Sequence, residues 1–382
     1  VIERDAHIRA LRRLFSNNAV VVLLGPRGAG KSTLAREFAQ RSRSNSYFFD
    51  LRAAADRSRL EDPTLALSNL QGLVVLDEIH RAPQVLSDVR QLSLRSWNPA
   101  RFLILSSIAT EELIEQLQPL SDFTAHYELP GFSSTELPVS QADLLWLRGG
   151  LPRSYSADSD EESYDWRDRY VRDFLERDIH RLASNAPTDR IERFLIMLAH
   201  CHAQVWNGSE LARSLGVSHH TARRYLKIIE SAFIVRRLEP WHANLPWRQV
   251  KSPRVYFRDS GLLHYCLGIS NLRELERHPR SGASWEGFVL ENLMRVLGKQ
   301  ETQFYFWAAH TGARVDLIAK SGRQLRGFEI RRTTSPRITR TVKTALEELS
   351  LTRMDIVYAG SERLRLDRRV RAISAERLHE DL

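Results

Sequence analysis

Residues 19–33 read AVVVLLGPRGAGKST. The last nine match G-x-x-x-x-G-K-[ST], with Gly25, Gly30, Lys31 and Ser32 in register and Pro26, Arg27, Gly28 and Ala29 between them. Glycines let such a loop curl until successive backbone N–H groups face one anion, and the helix that follows adds its positive end. Lys31 is then expected at the β/γ-phosphate oxygens, and the Ser32 hydroxyl at Mg²⁺, with Thr33 close by. The context fits: a buried-type strand (19–24) precedes the loop and an amphipathic helix (31–41) follows it. The expected ligands are ATP and Mg²⁺.

A metal and an attacking water need carboxylates near the loop. LVVLDE (73–78) is an apolar strand ending in Asp77 and Glu78. Asp77 is expected to meet Mg²⁺ and Glu78 to polarise water for in-line displacement. Further apolar runs at 46–50, 101–107 and 125–129 complete a parallel sheet. Ser106 or Ser107, at the tip of its strand, is expected beside the γ-phosphate, and Ser107 is taken as the catalytic one.

At this point the sequence resembles a family of bacterial and archaeal AAA-type ATPases related to the STAND group. The likeness rests on GPRGAGKSTL, VVLDEIHRAP, RFLILSS, HYELPGFSSTEL, LRGGLP and YVRDFLERDIHRL. It implies an α/β chain: a P-loop sheet (1–160), a helical linker (161–187), a winged helix-turn-helix (188–280) and a C-terminal restriction-endonuclease-like domain (281–382). Members often carry an arginine before the fifth strand. PLSDFT stands there instead, which leaves Arg101, Arg148, Arg153 or a neighbouring subunit to supply one.

Composition agrees with a chain of two or three domains. It has 382 residues, 42% apolar and 27% charged, without a low-complexity tract. Two cysteines, Cys201 and Cys266, exclude a disulfide framework or a cysteine-rich zinc site. No apolar run approaches the roughly 20 residues of a spanning helix, and no charged-then-apolar leader opens the sequence as given. A cytoplasmic location without membrane contact is expected. The net charge of +9 is carried by residues 188–382, residues 1–187 being slightly acidic. A polyanion partner for the second half follows, and DNA, whether duplex, single-stranded or branched, is the expected one.

SELARSLGVSHHTARRYLKIIES (209–231) sharpens that expectation. A helix opened by Ser209, a turn at Gly216-Val217 and a second helix capped by Ser218 form a helix-turn-helix pattern. Ala222, Tyr225, Leu226 and Ile229 make the inner face of the second helix. His219, His220, Arg223, Arg224 and Lys227 lie off that face, as in a helix meeting a major groove. The following hairpin reads as a wing, with Arg248, Lys251 and Arg254 expected on phosphates, and Trp241 and Trp247 expected to pack.

In the last hundred residues a helix (284–297) offers Glu286 and Glu291, and strand-like runs carry Asp316 and Glu329-Ile330-Arg331. The spacing resembles the PD-(D/E)xK nuclease pattern, in which carboxylates hold Mg²⁺ and a lysine positions water. Arg331 replaces that lysine, and Arg314 stands where members commonly have Glu. Both add charge that stays protonated, so Glu286, Asp316, Glu329 and Arg331 read as a relic. The leading functional reading is an ATPase that couples turnover to DNA binding or remodelling, as a helicase or translocase would. A slow nucleotide-gated switch in regulation or defence is the alternative, and an ATPase-regulated Mg²⁺-dependent nuclease the third. A homo-oligomer is compatible with each.

Overall fold

Five strands of the first half form one parallel sheet in the order β2-β3-β4-β1-β5. They are β1 (Val20–Leu24), β2 (Ser46–Asp50), β3 (Leu73–Asp77), β4 (Arg101–Ser106) and β5 (Thr124–Glu128). This is a computed structural model, describing residues 2–42, 44–94, 100–182, 186–242, 250–298, 303–309 and 312–382. β1, β3 and β4 are near-continuous apolar runs because helices cover both faces of the sheet. On one face Val20, Val22, Val74, Leu76, Phe102 and Ile104 pack together. On the other, Val21, Leu23, Val75, Leu103 and Leu105 meet Ile8, Leu11, Leu34 and Phe38.

The chain divides into two compact units: residues Val1–Gly131 with Ser231–Phe233, and the remainder. The first is shorter than the 160 residues that the sequence reading assigns to the ATPase core. From Phe132 onward the backbone is held within the second unit, where Phe132 N donates to Gly150 O at 2.6 Å and accepts from Arg295 at 3.1 Å through its own carbonyl.

In the second unit the Gly208–Leu215 helix is capped by Asn207, whose side chain accepts from Glu210 N, two residues before the expected opening at Ser209. Gly216 takes φ 65°, a left-handed conformation that closes this helix cheaply only for glycine. The Ser218 hydroxyl accepts from Thr221 N at 3.1 Å and starts the His219–Ser231 helix. A small antiparallel sheet pairs β6 (Gln204–Val205), β8 (Arg254–Phe257) and β7 (Val235–Leu238) in the order β6-β8-β7.

A six-stranded mixed sheet follows, in the order β13-β14-β12-β11-β10-β9. Its strands are β9 (Phe304–Ala308), β10 (Arg314–Ser321), β11 (Gln324–Arg331), β12 (Arg353–Tyr358), β13 (Leu364–Arg365) and β14 (Val370–Ser374). The Ser281–Leu297 helix covers one face through Trp285, Val289, Leu290 and Leu293. β7 and β8 pair antiparallel, as the hairpin expected from sequence requires. The described residues at the two ends of their connection also bond to β9, with Phe306 N donating to Glu239 O at 3.0 Å and Val250 N to Ala308 O at 3.1 Å. Trp241 packs, as expected of it, but against Tyr305 of β9, at 5.1 Å between ring centroids. Arg248 and Trp247 lie outside the described residues. No helix among the described residues is long and apolar enough to cross a membrane.

Candidate active site

The parallel register fixes where the first unit can do chemistry. β1, β3 and β4 end at one edge, and Gly25, Glu78 and Ser107 are the first residues past those ends. Open α/β sheets bind ligands at this carboxyl edge. Gly25 approaches Leu129 so closely that an added Cβ would lie 2.1 Å from its carbonyl oxygen. Gly28 and Gly30 take φ 77° and 92°, so the loop has the curl that its glycines predict. The ten-residue Lys31–Gln40 helix has no side-chain cap. Its first amides are therefore left for a ligand, and anions satisfy such amides.

Lys31 is 5% exposed and donates to Gly25 O at 2.8 Å and Pro26 O at 2.9 Å. Burial drags its pKa down to about 8, with Glu78 and Asp77 pulling the other way. Ser32 Oγ donates to Asp77 Oδ2 at 2.6 Å. Asp77 Oδ1 is buried without a hydrogen-bond partner. Burial raises the Asp77 pKa despite the Ser32 bond. Ser32, Asp50 and Asp77 share a small cleft of about 20 Å³, room for about one water-sized particle. An orphaned carboxylate oxygen beside a hydroxyl is what a hard cation requires, so these residues fit Mg²⁺. When bound, that ion supplies charge neutralisation for the β- and γ-phosphate oxygens.

Glu78 adopts φ 60° and ψ 52°, a region costly for a residue with a Cβ and often kept where function needs it. Burial opposes its charge, but Lys31, His80 and two Ser107 donors outweigh burial and hold its pKa low. Its Oε2 accepts from Ser107 N at 3.0 Å and Ser107 Oγ at 2.7 Å. Ser107 thus positions Glu78, a role that strand-tip placement alone did not suggest. Ser106 is buried instead against His80 Nδ1, at 3.1 Å, and Ile108. Arg27 is half-buried and Thr33 exposed. His80 and Arg52, both close to the carboxylates, were not picked out from sequence.

Of the three arginines considered from sequence, Arg101 alone belongs to the first unit. Arg101 begins β4, at the edge opposite the loop, and donates to Phe15 O at 2.6 Å. Arg148 is buried in the second unit, bonded to Asp160 at 2.8 Å. Arg153 is exposed.

In the second unit His219, His220, Arg223, Arg224 and Lys227 are all exposed on the His219–Ser231 helix, while Ala222, Tyr225, Leu226 and Ile229 are buried. Lys251 is exposed as well. Arg254, expected on phosphates, is a correction: it is 6% exposed, and its Nη1 lies 3.3 Å from Asp316 and 3.5 Å from Glu286. Tyr256 OH also donates to Glu286, at 2.9 Å. Burial, then the Asp316 charge, raises Glu286 to about 7. Arg331 binds Glu329 through Nε at 3.0 Å, Arg314 stands 3.8 Å from Asp316, and Ile330 N donates to Asp316 at 3.0 Å. Glu291 is not available either, being paired with Arg236 at 2.7 Å. Among the described residues no three His, Cys, Asp or Glu side chains are grouped to hold a metal ion. Guanidinium groups contact each of these carboxylates, Arg254 reaching both Asp316 and Glu286, while Glu329 Oε2 is buried without a hydrogen-bond partner.

The first unit is therefore a P-loop ATPase domain. An AAA-domain family matches residues 17–138, and two families described as domains of unknown function, DUF8612 and DUF4143, match residues 140–273 and 281–378. The chain is 44% identical over 378 residues to the uncharacterized proteins Mb2031c of Mycobacterium bovis and Rv2008c of Mycobacterium tuberculosis, over 99% of this chain and 85% of theirs. It belongs to the family of these two mycobacterial proteins. Among solved structures it is similar to the Walker-type ATPase PABY2304 of Pyrococcus abyssi, with 12% identity, a TM-score of 0.49, and 70% of this chain and 96% of that one covered. It is also similar to the Holliday junction branch migration motor RuvB of Thermotoga maritima, with 18% identity, a TM-score of 0.29, and 62% and 90% covered.

Proposed function

We propose that this protein binds and hydrolyses ATP with Mg²⁺ in its first unit and couples turnover to DNA held by its second. The reading takes residues 188–280 as a winged helix-turn-helix and residues 281–382 as a degenerate restriction-endonuclease-like domain. Lys31 and the loop amides hold the phosphates, Ser32 and Asp77 hold the metal, and Glu78, positioned by Ser107, takes a proton from the attacking water. One observation carries the DNA half: five basic or imidazole side chains, His219, His220, Arg223, Arg224 and Lys227, line the outer side of a helix whose inner side is core. The charges of Arg223, Arg224 and Lys227 and the ring nitrogens beside them, on a convex helix face, suit a groove lined by phosphates.

The slow switch remains the second reading, and one feature favours it. Lys31 donates to two carbonyls of its own loop, contacts that compete with phosphate and suit slow exchange. A nuclease is disfavoured by the guanidinium groups on Glu286, Asp316 and Glu329.

Fluorescence anisotropy with labelled duplex, single-stranded and four-way-junction DNA, beside steady-state ATPase rates on each, tests the proposal. Binding that weakens as salt rises, with turnover stimulated by one DNA form, is expected. Turnover that is slow and indifferent to all three forms selects the switch, and no binding even at low salt removes the DNA reading.

A further inference from the structure

Phosphoryl transfer builds negative charge on the γ-phosphoryl oxygens, and P-loop proteins meet it with cations beyond the loop lysine. Of the arginines weighed from sequence, Arg101 starts its strand at the opposite edge of the same sheet, and Arg148 is paired with Asp160.

The structure supplies a different one. β2 pairs with β3 so that Asp50 lies beside Asp77. The chain then turns, with Leu51 N donating to Asp77 O at 3.0 Å and Ala53 N to Asp50 O at 2.9 Å. Arg57 braces the turn from behind, donating to the carbonyls of Leu51 and Arg52 at 2.8 Å each. Arg52 is thereby folded back over the strand ends. Asp50 grips its guanidinium with both oxygens, Nε and Nη2 each at 2.8 Å, and also accepts from its backbone N–H at 3.0 Å. The same Nη2 stands 3.6 Å from Asp77 Oδ2, the oxygen that Ser32 Oγ also reaches. So the one guanidinium sits against the carboxylate that faces the metal position. Its side chain is 49% exposed, open toward solvent.

We propose that Arg52 is a second cation of the phosphate site, supplied by the same chain, that meets the γ-phosphoryl oxygens of bound ATP as charge develops on them. Its charge offsets that of Asp77. With Asp50 holding Nε and Nη2, and the turn held by Arg57, the Nη1 side of the guanidinium is the one left to meet phosphate oxygens. Asp50 keeps the planar fork oriented throughout, a task a lysine does not fulfil. In the reaction the water oxygen bonds to the γ-phosphorus as the bond to the bridging oxygen breaks. The electron pair leaves on ADP, and Glu78 takes one water proton and returns it to solvent. Arg52 exchanges no proton and contributes charge alone.

This role rests on the ATPase reading, and the test separates the two. Wild type, R52A, R52K and K31A are titrated with a fluorescent ADP analogue and Mg²⁺, with and without aluminium fluoride, which mimics the phosphoryl group in flight. Turnover is measured alongside. For R52A and R52K the expectation is ADP affinity within about threefold of wild type, loss of the tightening that fluoride brings, and turnover lower by at least about 100-fold. R52A that keeps the fluoride effect, with turnover within twofold of wild type, overturns the proposal. So does R52A that weakens ADP and the fluoride complex equally, since that marks a structural role. If wild type itself binds no nucleotide, behaving as K31A does, the ATPase reading has failed and Arg52's role goes with it.

Discussion

Lys31 shows what the P-loop costs its own residue. Its ammonium is buried against two carbonyls, and burial lowers its pKa from 10.5 to about 8. Nucleotide binding places phosphate charge at that ammonium and favours the protonated form. Binding must therefore take up a proton wherever the free site has lost it, at and above about pH 8, and almost none near pH 7. Calorimetry in two buffers of different ionisation enthalpy is expected to show net uptake approaching one proton per nucleotide at pH 9. Equal heats in both buffers at pH 9 would rule out this role for Lys31. K31A is expected to weaken nucleotide binding by roughly 100-fold or more, because it removes a charge-assisted contact from a buried site. Stability of the free protein follows the opposite sign. Between about pH 8 and 10.5 the unfolded chain holds the Lys31 proton and the folded chain does not, so this residue's contribution grows more favourable as pH rises.

At the scale of elements, the sequence was legible wherever chemistry depends on neighbours along the chain. The P-loop, the strand ending in Asp77 and Glu78, and the turn at Gly216 each carry their signal within about ten residues, and the structure forms each of them. Pairings set by long-range packing were not legible. Arg52 belongs to the site because β2 lies beside β3, and Ser107 turns to Glu78 because β4 lies on the other side of β3. Arg254 follows the same logic. Alternation along β8 carried it inward onto Asp316, 62 residues away, and the charge pattern that suggested a phosphate contact holds no information on that. R254M should then behave as a core lesion, leaving Asp316 and Glu286 with less compensation. A loss of about 3–5 kcal/mol is expected from breaking a buried ion pair, read by urea denaturation, with the salt dependence of DNA binding unchanged in the folded variant. A slope reduced by about one ion would instead place Arg254 on a phosphate.

For the molecule as a whole, acid distinguishes the two units. The second contains His202 and His264, both fully buried, and burial lowers each to about 3. His264 is held neutral by a continuous chain of bonds: Trp146 Nε1 donates to Ser284 Oγ at 3.0 Å, Ser284 Oγ lies 2.6 Å from His264 Nε2, and His264 Nδ1 lies 2.8 Å from Leu147 O. With Nδ1 protonated and Nε2 accepting, every member is satisfied, and a second proton has no place. Unfolded histidine titrates near 6.5. Below that value the unfolded chain binds protons that the folded unit refuses, so stability falls with pH from about 6.5 down to about 3, and none of this loss occurs above 7. At pH 5 each histidine removes about 2 kcal/mol, and the two together about 4. In the first unit the raised Asp77 works the other way, gaining stability as it protonates. Seven of the eight tryptophans follow residue 131, so tryptophan fluorescence reports chiefly on the second unit. Glu286, which the folded unit protonates from about pH 7, offsets about one of these two protons, so urea unfolding followed by that signal should give a midpoint that falls between pH 7 and pH 5 in the wild type and falls more steeply in E286Q. A midpoint of E286Q that does not move over this range would mean that His202 and His264 accept protons in the folded state, contrary to their burial.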